Sequence, residues 1–269
     1  MDTRHSQIRN VLAMFSLATL LTVPQMARAQ QPSAATSVTI HVAAAADLQP
    51  VMPLIAAGFE KETGIHVAVS YGSSSSMAAQ IINGAPTDVF FSADYSFAER
   101  VLAANLADTP SPTLYAKGTL VLWERKDGPF QPLTLDALTN PALKSVAIAN
   151  PLAAPYGLAA VSAMKSLHVY EKVASHFVQA ENVAQAGEYA DTGNTQLAFI
   201  SLTLAKTDHM TQRGTYIVIP SSQYPEIRQC AVVMRKSEHH AEGRRFLEYV
   251  LSGPIQAQFA QYGLRSKDQ

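Results

Sequence analysis

Four consecutive serines, Ser73–Ser76 in "YGSSSSM", directly follow an apolar, strand-like run. Such a cluster can be a flexible linker, a nucleophile with its helpers, or a set of hydrogen-bond donors. A serine nucleophile needs a base within hydrogen-bond reach, yet the run lacks the second glycine of G-x-S-x-G and begins no S-x-x-K. Helix capping explains the serines without any function. Alternatively, their hydroxyls and the amides of a following helix would bind an oxyanion without a counter-charge.

Other residue types give weaker chemical signals. The histidines show no H-x3-H spacing and no pairing with cysteine, which argues against a transition-metal site. Cys230, the single cysteine, lies in the apolar run "QCAVVMR", which favours a buried thiol and excludes an internal disulfide.

The elements that position these residues alternate along the chain. Runs typical of buried strands, such as 38–46, 65–72 and 87–94, are separated by segments with helical periodicity, such as 48–64 and 95–105. This alternation predicts an α/β protein with a mostly parallel sheet. We also expect two α/β lobes joined by two crossings, with the C-terminal helices packing back on the first lobe.

Small and hydroxyl-bearing residues follow many of the predicted strands. In open α/β sheets, ligands bind in the crevice beyond the carboxyl ends of the strands. The segments at those ends are 44–47, 72–76, 92–94, 150–157, 180–184 and 199–203. Several of them begin a predicted helix, whose unpaired N–H groups favour anions. The serine run is therefore best interpreted together with the other strand ends.

Segment by segment, the chain is predicted to have five parts. Arg4 and Arg9, the apolar run 11–23 and the small residues of "ARA" form the three-part layout of a secretory signal peptide. The predicted parts are a signal peptide (1–29), a polar N-terminal segment (30–37), the first part of lobe I (38–122), lobe II (123–219), and a return to lobe I with C-terminal helices (220–269). We therefore expect a periplasmic protein.

Composition narrows the possible partners. Of the 269 residues, 48% are hydrophobic and 15% charged, and 20 basic against 21 acidic residues give a formal net charge of −1. This balance is that of a globular protein, and it argues against nucleic-acid binding, which needs a basic face.

Several motifs together resemble the periplasmic molybdate-binding proteins of ABC importers. They are "VAAAADL", "FEKETGI", "YGSSSS", "AQIINGAPTDVFFSAD", "KGTLVLW", "AIANPLAAPYGLAA", "AENVAQA" and "YGL", and they span roughly 38–264. The resemblance implies a two-lobed type II periplasmic-binding-protein fold. Each lobe would be a mixed, mostly parallel sheet flanked by helices, with a tetrahedral oxyanion in the cleft between the lobes.

The resemblance also implies which residues contact the ligand. They are Asp47 with the preceding Ala46, Ser74 with Ser73 next, Tyr156, Val183 through its backbone N–H, and Ser201 in place of a frequent tyrosine. The residues that hold the oxyanion would not coordinate its metal directly, and no residue would be catalytic.

Asp47 departs from the hydroxyl or amide that many relatives have after the first strand. A desolvated carboxylate that faced a dianion would repel it. Alternatively, Asp47 caps its own helix, turns its carboxylate away and leaves a backbone N–H for the ligand, and we favour this interpretation.

The expected function is capture of molybdate, and of tungstate, by a monomer that delivers it to an inner-membrane ABC permease without a cofactor. One alternative is a binding protein of the same fold for another oxyanion or a small organic anion, which Asp47 supports. The other is an exported enzyme that uses the serines as catalytic residues.

Overall fold

The computed structural model describes residues 38–267. The predicted signal peptide and the polar segment after it lie outside the described residues. In the described part of the chain, no helix combines the length and the apolar character needed to cross a bilayer.

Strands alternate with helices through most of the described chain, as predicted. The strands are β1 (Thr39–Ala45), β2 (His66–Gly72), β3 (Val89–Ser92), β4 (Thr113–Gly118), β5 (Leu120–Arg125), β6 (Val146–Ala149), β7 (Phe177–Ala180), β8 (Leu197–Ser201), β9 (Gly214–Val218), β10 (Ile227–Val233) and β11 (Arg265–Ser266). The α-helices are α1 (Met52–Thr63), α2 (Ser74–Ile82), α3 (Tyr95–Ala103), α4 (Pro155–Ser166), α5 (Tyr170–Val173), α6 (Val183–Asp191), α7 (Leu202–Ala205), α8 (Asp208–Arg213), α9 (His240–Leu251) and α10 (Gly253–Phe259).

The strands form two sheets, which define two lobes. Lobe I contains a six-stranded sheet in the order β11-β4-β10-β3-β1-β2, and lobe II contains a five-stranded sheet in the order β7-β6-β8-β5-β9. The predicted mixed α/β architecture with two sheets is confirmed. Parallel pairing is confined to β1 with β2 and β3, and to β6 with β7 and β8. The remaining described pairings are antiparallel. The first strand after each crossing, β5 or β10, runs opposite to the parallel strands of the sheet that it enters.

The chain passes between the sheets twice. It leaves the first sheet at Gly118 and enters the second at Leu120, and it returns between Val218 and Ile227. Leu120–Leu122, which the predicted lobe boundary places in lobe I, therefore belong to a strand of the second sheet. The predicted division of the chain into lobes otherwise remains a prediction.

Apolar layers on both faces stabilise the sheet of lobe I. On one face, Phe59 of α1 meets Phe246 of α9 with ring centroids 5.0 Å apart. On the other face, Ala78 of α2 and Ala98 of α3 pack with Val232 of β10. Burial of both faces explains why β1 and β3 read as nearly continuous apolar runs.

Two helix predictions need correction. The helix expected over 48–64 begins only at Met52, because a 3-10 turn over Ala46–Leu48 precedes it. The sequence also predicts that Pro53 bends this helix, but Pro53 lies in its first turn, where proline is tolerated. The segment "YGLAAVSAMKSLHVYEKVASHF" predicts one long helix from 156, but α4 ends at Ser166, and His168 then adopts a left-handed conformation (φ 57°) before α5 begins.

Candidate functional site

A small cavity lies between the two lobes, at the carboxyl ends of several strands. It is lined by residues at the ends of β1, β2 and β3 in lobe I and by residues that open α4 and α6 in lobe II. Four of the sequence-predicted residues line it, namely Asp47, Ser74, Tyr156 and Val183. Residues from four separate chain segments thus meet at one place, as the strand-end pattern predicts.

The serine run opens helix α2 at the edge of this cavity. Ser73 is the N-cap, and its hydroxyl oxygen accepts from the backbone N–H of Ser76 at 3.2 Å. Ser74 is buried, and its hydroxyl oxygen accepts from the N–H of Ala93 at 3.1 Å. The hydroxyl of Ser76 turns back to the carbonyl of Ser73. These contacts of the serine hydroxyls are with backbone groups and with each other, as in a helix cap.

The first turns of three helices contribute residues to the lining of the cavity. Ser74 opens α2, Tyr156 lies in the first turn of α4, and Val183 opens α6. N–H groups of a first helical turn have no acceptor within their own helix, and the helix dipole adds partial positive charge. Asn182 caps α6 by accepting from the next two amides, at 3.0 and 3.1 Å, which leaves the N–H of Val183 outside this cap.

Local sequence explains why α4 begins where it does. Pro155 occupies the first helical position, where its missing N–H removes no hydrogen bond. Gly157 permits close packing, because a Cβ atom there would lie 2.1 Å from the carbonyl oxygen of Ala149 at the end of β6. Pro155 and Gly157 therefore hold Tyr156, which lies between them, at the edge of the second sheet where β6 ends.

The carboxylate of Asp47 does not cap its own helix, so the capping interpretation is wrong. The N-cap of the 3-10 turn is Ala45, and no side chain caps it. Asp47 is instead fully buried, and its Oδ2 accepts from the phenol of Tyr156 at 3.2 Å and from Nε2 of Gln229. Its Oδ1 has no hydrogen-bond partner among the described residues. The carboxylate is held by two distant side chains, which meet it only after both lobes have folded.

A buried polar network extends from Asp47 across the interface between the lobes. Tyr156 belongs to lobe II, whereas Asp47, Gln229 and Tyr115 belong to lobe I. The phenol of Tyr115 donates to Oε1 of Gln229 at 2.9 Å, which orients the amide so that its Nε2 faces Asp47. The hydroxyl of Thr203 in lobe II also donates to the carbonyl oxygen of Asp47 at 2.6 Å. Asp47 is therefore bonded to lobe II through both its side chain and its backbone.

Burial is the largest influence on the pKa of the Asp47 carboxyl. It raises the pKa of this carboxyl from 3.8 to about 7, although the hydrogen bonds from Gln229 and Tyr156 lower it. Burial also raises the pKa of the Tyr156 phenol well above its usual range, and the nearby Asp47 carboxylate adds to that rise. No lysine, arginine or histidine lines the cavity.

Ser201, the fifth predicted residue, is placed differently. It is buried at the end of β8 and caps the short helix α7 by accepting from the N–H of Leu204 at 3.3 Å. Its hydroxyl also shares a 2.7 Å hydrogen bond with Thr203, and it is not among the residues that line the cavity. The Thr203 hydroxyl therefore connects Ser201 to Asp47, because it forms a hydrogen bond with each of them.

The cavity offers donors and no metal ligands. Across residues 38–267, no group of three or more histidine, cysteine, aspartate or glutamate side chains could hold a metal ion. Amides at helix N-termini, with the Ser74 hydroxyl, are groups that bind an anion through its oxygens.

Comparison with known proteins decides the family. The sequence model of the family described as bacterial extracellular solute-binding protein matches residues 40–265. The chain belongs to this family. The solute-binding protein is 36% identical over 221 residues to the molybdate-binding protein ModA of Azotobacter vinelandii, across 82% of this chain and 87% of the relative. It is 33% identical to ModA of Rhodobacter capsulatus, across 78% and 82%.

A solved structure agrees with these relatives. The periplasmic molybdate-binding protein of Azotobacter vinelandii superposes on the solute-binding protein with a TM-score of 0.77 and 30% identity. The superposition covers 84% of this chain and 98% of the other.

Sequence reasoning missed Gln229, Tyr115 and Thr203. Gln229 is a fully buried polar side chain in the otherwise apolar strand β10, and this was a signal that could have found it. Thr203 had a weaker signal, since a hydroxyl after a strand end is common. Tyr115 had none, because an aromatic residue in a strand is ordinary.

Proposed function

We propose that this protein captures molybdate, and tungstate as well, between its two lobes in the periplasm and delivers it to an ABC importer of the inner membrane. The observation that carries the proposal is the convergence of three helix N-termini and the Ser74 hydroxyl on one small cavity. Relatives named molybdate-binding proteins, similar over most of both chains, support the choice of oxyanion.

The contacts we assign are the Ser74 hydroxyl, the backbone amides of Tyr156 and Val183, and Asp47. Each donor is neutral and nearly dehydrated, so it binds an ionised oxygen more strongly than it would in water. Ser201 stays a predicted contact of the ligand. In the arrangement of the lobes described above, it would influence the ligand indirectly, through its hydrogen bond to Thr203. We assign no catalytic residue, and the oxyanion is cargo rather than a cofactor.

Recognition of the anion follows from the balance of donors and acceptors. A fully ionised oxyanion only accepts hydrogen bonds, whereas protonated phosphate also donates one. A cavity whose backbone and hydroxyl groups all donate disfavours the protonated anion, whose O–H would remain unpaired.

A different oxyanion or a small organic anion remains the second candidate, and Asp47 favours it. An ionised carboxyl in the cavity would accept a hydrogen bond from a protonated anion and repel a dianion. We expect the protein to act as a monomer that docks on its permease through surfaces shared by both lobes.

Calorimetric titration of the chain without residues 1–29 tests the proposal. We expect saturable heat with micromolar or lower Kd for molybdate and tungstate, and none for sulfate or phosphate at the same concentrations. A rise in Tm with added molybdate should accompany the heat. Neither heat nor a thermal shift with molybdate would contradict the proposal, and binding of phosphate instead would favour the second candidate.

A further inference from the structure

One carboxyl oxygen of Asp47, a residue that lines the cavity, has no hydrogen-bond partner among the described residues. Asp47 is completely buried and is the only residue with an ionisable carboxyl among those that line the cavity. Its Oδ2 already accepts from Tyr156 and Gln229, whereas Oδ1 has no hydrogen bond within residues 38–267. A buried oxygen without a partner is energetically unfavourable, so it is the atom of this site most in need of one.

No cation faces Asp47 from the elements packed around it. The 3-10 turn packs against the end of β2, the start of α6, and α7. Those elements offer Gly72, Asn182, Val183 and the Thr203 hydroxyl, none of which carries a charge. The titratable side chains grouped around the network are Tyr115, Tyr156, Tyr224 and Cys230.

Three of these titratable neighbours are acids that stay neutral. Burial raises the pKa of Tyr115, Tyr156 and Cys230 above their usual ranges. An ionised Asp47 would therefore be a buried charge with hydrogen bonds on one oxygen and no counter-ion. With a dianion in the same cavity, like charges would face each other at low dielectric, which is strongly unfavourable.

We infer that Asp47 is a neutral carboxylic acid whenever the cavity is occupied, and that its Oδ1–H donates a hydrogen bond to the captured oxyanion. Because Oδ2 is held by two donors, the proton belongs on Oδ1, the oxygen that has no partner. The inference rests on the proposed function and deepens it, since it makes Asp47 a fourth donor and couples anion capture to a proton.

The proton balance follows from this assignment. Before the anion enters, Asp47 in this structure has a pKa of about 7. A dianion beside it disfavours the charged form and raises that pKa further. Capture above neutral pH therefore takes one proton from solvent, and release returns it. Affinity should fall as pH rises above about 7, by up to about tenfold per pH unit.

Calorimetry in buffers of different ionisation enthalpy measures that proton directly. We expect molybdate binding at pH 8 to take up about one proton, and binding at pH 6 to take up clearly less. Equal heats in all buffers together with a Kd that does not change between pH 6 and 8.5 would overturn the inference and leave the proposed function intact. Absence of molybdate binding at every pH would overturn both.

Two variants assign the proton to Asp47. Asp47→Asn keeps the shape and a donor, so we expect it to bind molybdate without proton uptake and with a Kd independent of pH. Glu124→Gln is the matched control, because Glu124 is also a buried carboxyl whose pKa burial raises, yet it does not line the cavity. It should retain the proton uptake of the unmodified protein.

Persistence of the uptake in Asp47→Asn, or its loss in Glu124→Gln, would contradict the assignment. If Asp47→Asn does not fold, the buffer series on the unmodified protein still decides whether capture takes up a proton.

Discussion

Ser74 and Asp47 occupy matching positions after neighbouring parallel strands, but they contribute to the cavity in different ways. Ser74 uses its hydroxyl oxygen to accept from Ala93, which fixes the oxygen and leaves its own proton available as a donor. Asp47 uses one oxygen for the inter-lobe network and leaves the other without a partner. At the scale of single residues, the site is therefore a set of donors arranged around one titratable group.

Ser74→Ala should weaken molybdate binding without loss of the fold. The variant removes one desolvated donor, and we expect Kd to rise by about 10- to 100-fold, the range for a hydrogen bond to a charged group. Ser76→Ala is the control, because the Ser76 hydroxyl bonds to Ser73 and does not line the cavity. Equal affinities of both variants, measured by calorimetry, would remove Ser74 from the site.

The stability of the unliganded protein should depend on pH through Asp47. Its pKa is about 7 in the folded protein against an ordinary value of 3.8, so the folded state binds the proton more tightly. The free energy of unfolding should therefore fall as pH rises from about 4 to 7 and level off above that. The ceiling for this single group is about 4 kcal/mol.

Urea unfolding at pH 5 and pH 8 measures this dependence. The unmodified protein should lose more stability between the two pH values than Asp47→Asn loses. An identical loss in both proteins would show that Asp47 does not carry it.

Helix starts are the elements that build this site. α2, α4 and α6 each begin directly after a strand end, and each start has a different local cause: the Ser73 cap, Pro155, and the Asn182 cap. The Ser73 and Asn182 caps bond to amides beyond the first one of their helices, so these caps do not use the N–H groups of Ser74 and Val183.

Gly157→Ala should displace the start of α4. Its Cβ would lie 2.1 Å from the Ala149 carbonyl oxygen, which is backbone and cannot rotate away, so the helix must move from the sheet. We expect Tm to fall by several degrees and molybdate affinity to drop with it.

Gly187→Ala in α6 is the control for Gly157→Ala, because its Cβ would meet Ile200 Cγ2 at an ordinary 3.5 Å. Removing a glycine from a helix interior should leave this control unchanged or stabilise it by up to about 1 kcal/mol. If Gly157→Ala were as stable as the control, close packing of α4 on β6 would not be required.

The helices and strands that build this site could be predicted from the sequence more reliably than the hydrogen bonds between its residues. Helix capping by the serine run was one of the interpretations that local chemistry offered, and the structure makes Ser73 the cap of α2. The partners of Asp47 lie 109 and 182 residues away in the chain, and no local pattern specifies them. The capping prediction for Asp47 failed because local propensity was the only available guide, whereas packing of the two lobes determined the outcome.

Across the whole molecule, the cavity forms only where the two lobes meet. Among the described residues, the direct hydrogen bonds between them include Tyr156 to Asp47, Thr203 to Asp47, the N–H of Ser75 to the carbonyl of Ala153 at 3.1 Å, and Lys206 Nζ to the carbonyl of Ala260 at 3.3 Å. The structure is thus one in which the lobes are in contact around the cavity. Any ligand that needs both lobes benefits from these bonds, because they favour the arrangement that binds it.

Thr203→Val should weaken molybdate binding although Thr203 does not line the cavity. It removes the bond to the Asp47 carbonyl, and loss of one such bond should raise Kd by about threefold to tenfold, through a smaller population of the closed arrangement. Thr195→Val is the control, since the buried Thr195 hydroxyl has no partner in the described chain. A Kd that responds equally in both variants would contradict the role given to Thr203.

Because no basic side chain lines the cavity, the affinity for the anion should depend little on salt concentration. Dissolved ions screen attraction between exposed charges over about 10 Å at 0.1 M, but here the attraction comes from buried peptide dipoles and a hydroxyl. There is no lysine or arginine whose pairing with the anion a competing chloride could disrupt. Titrations in dilute buffer and in 0.5 M sodium chloride should therefore give closely similar dissociation constants for molybdate.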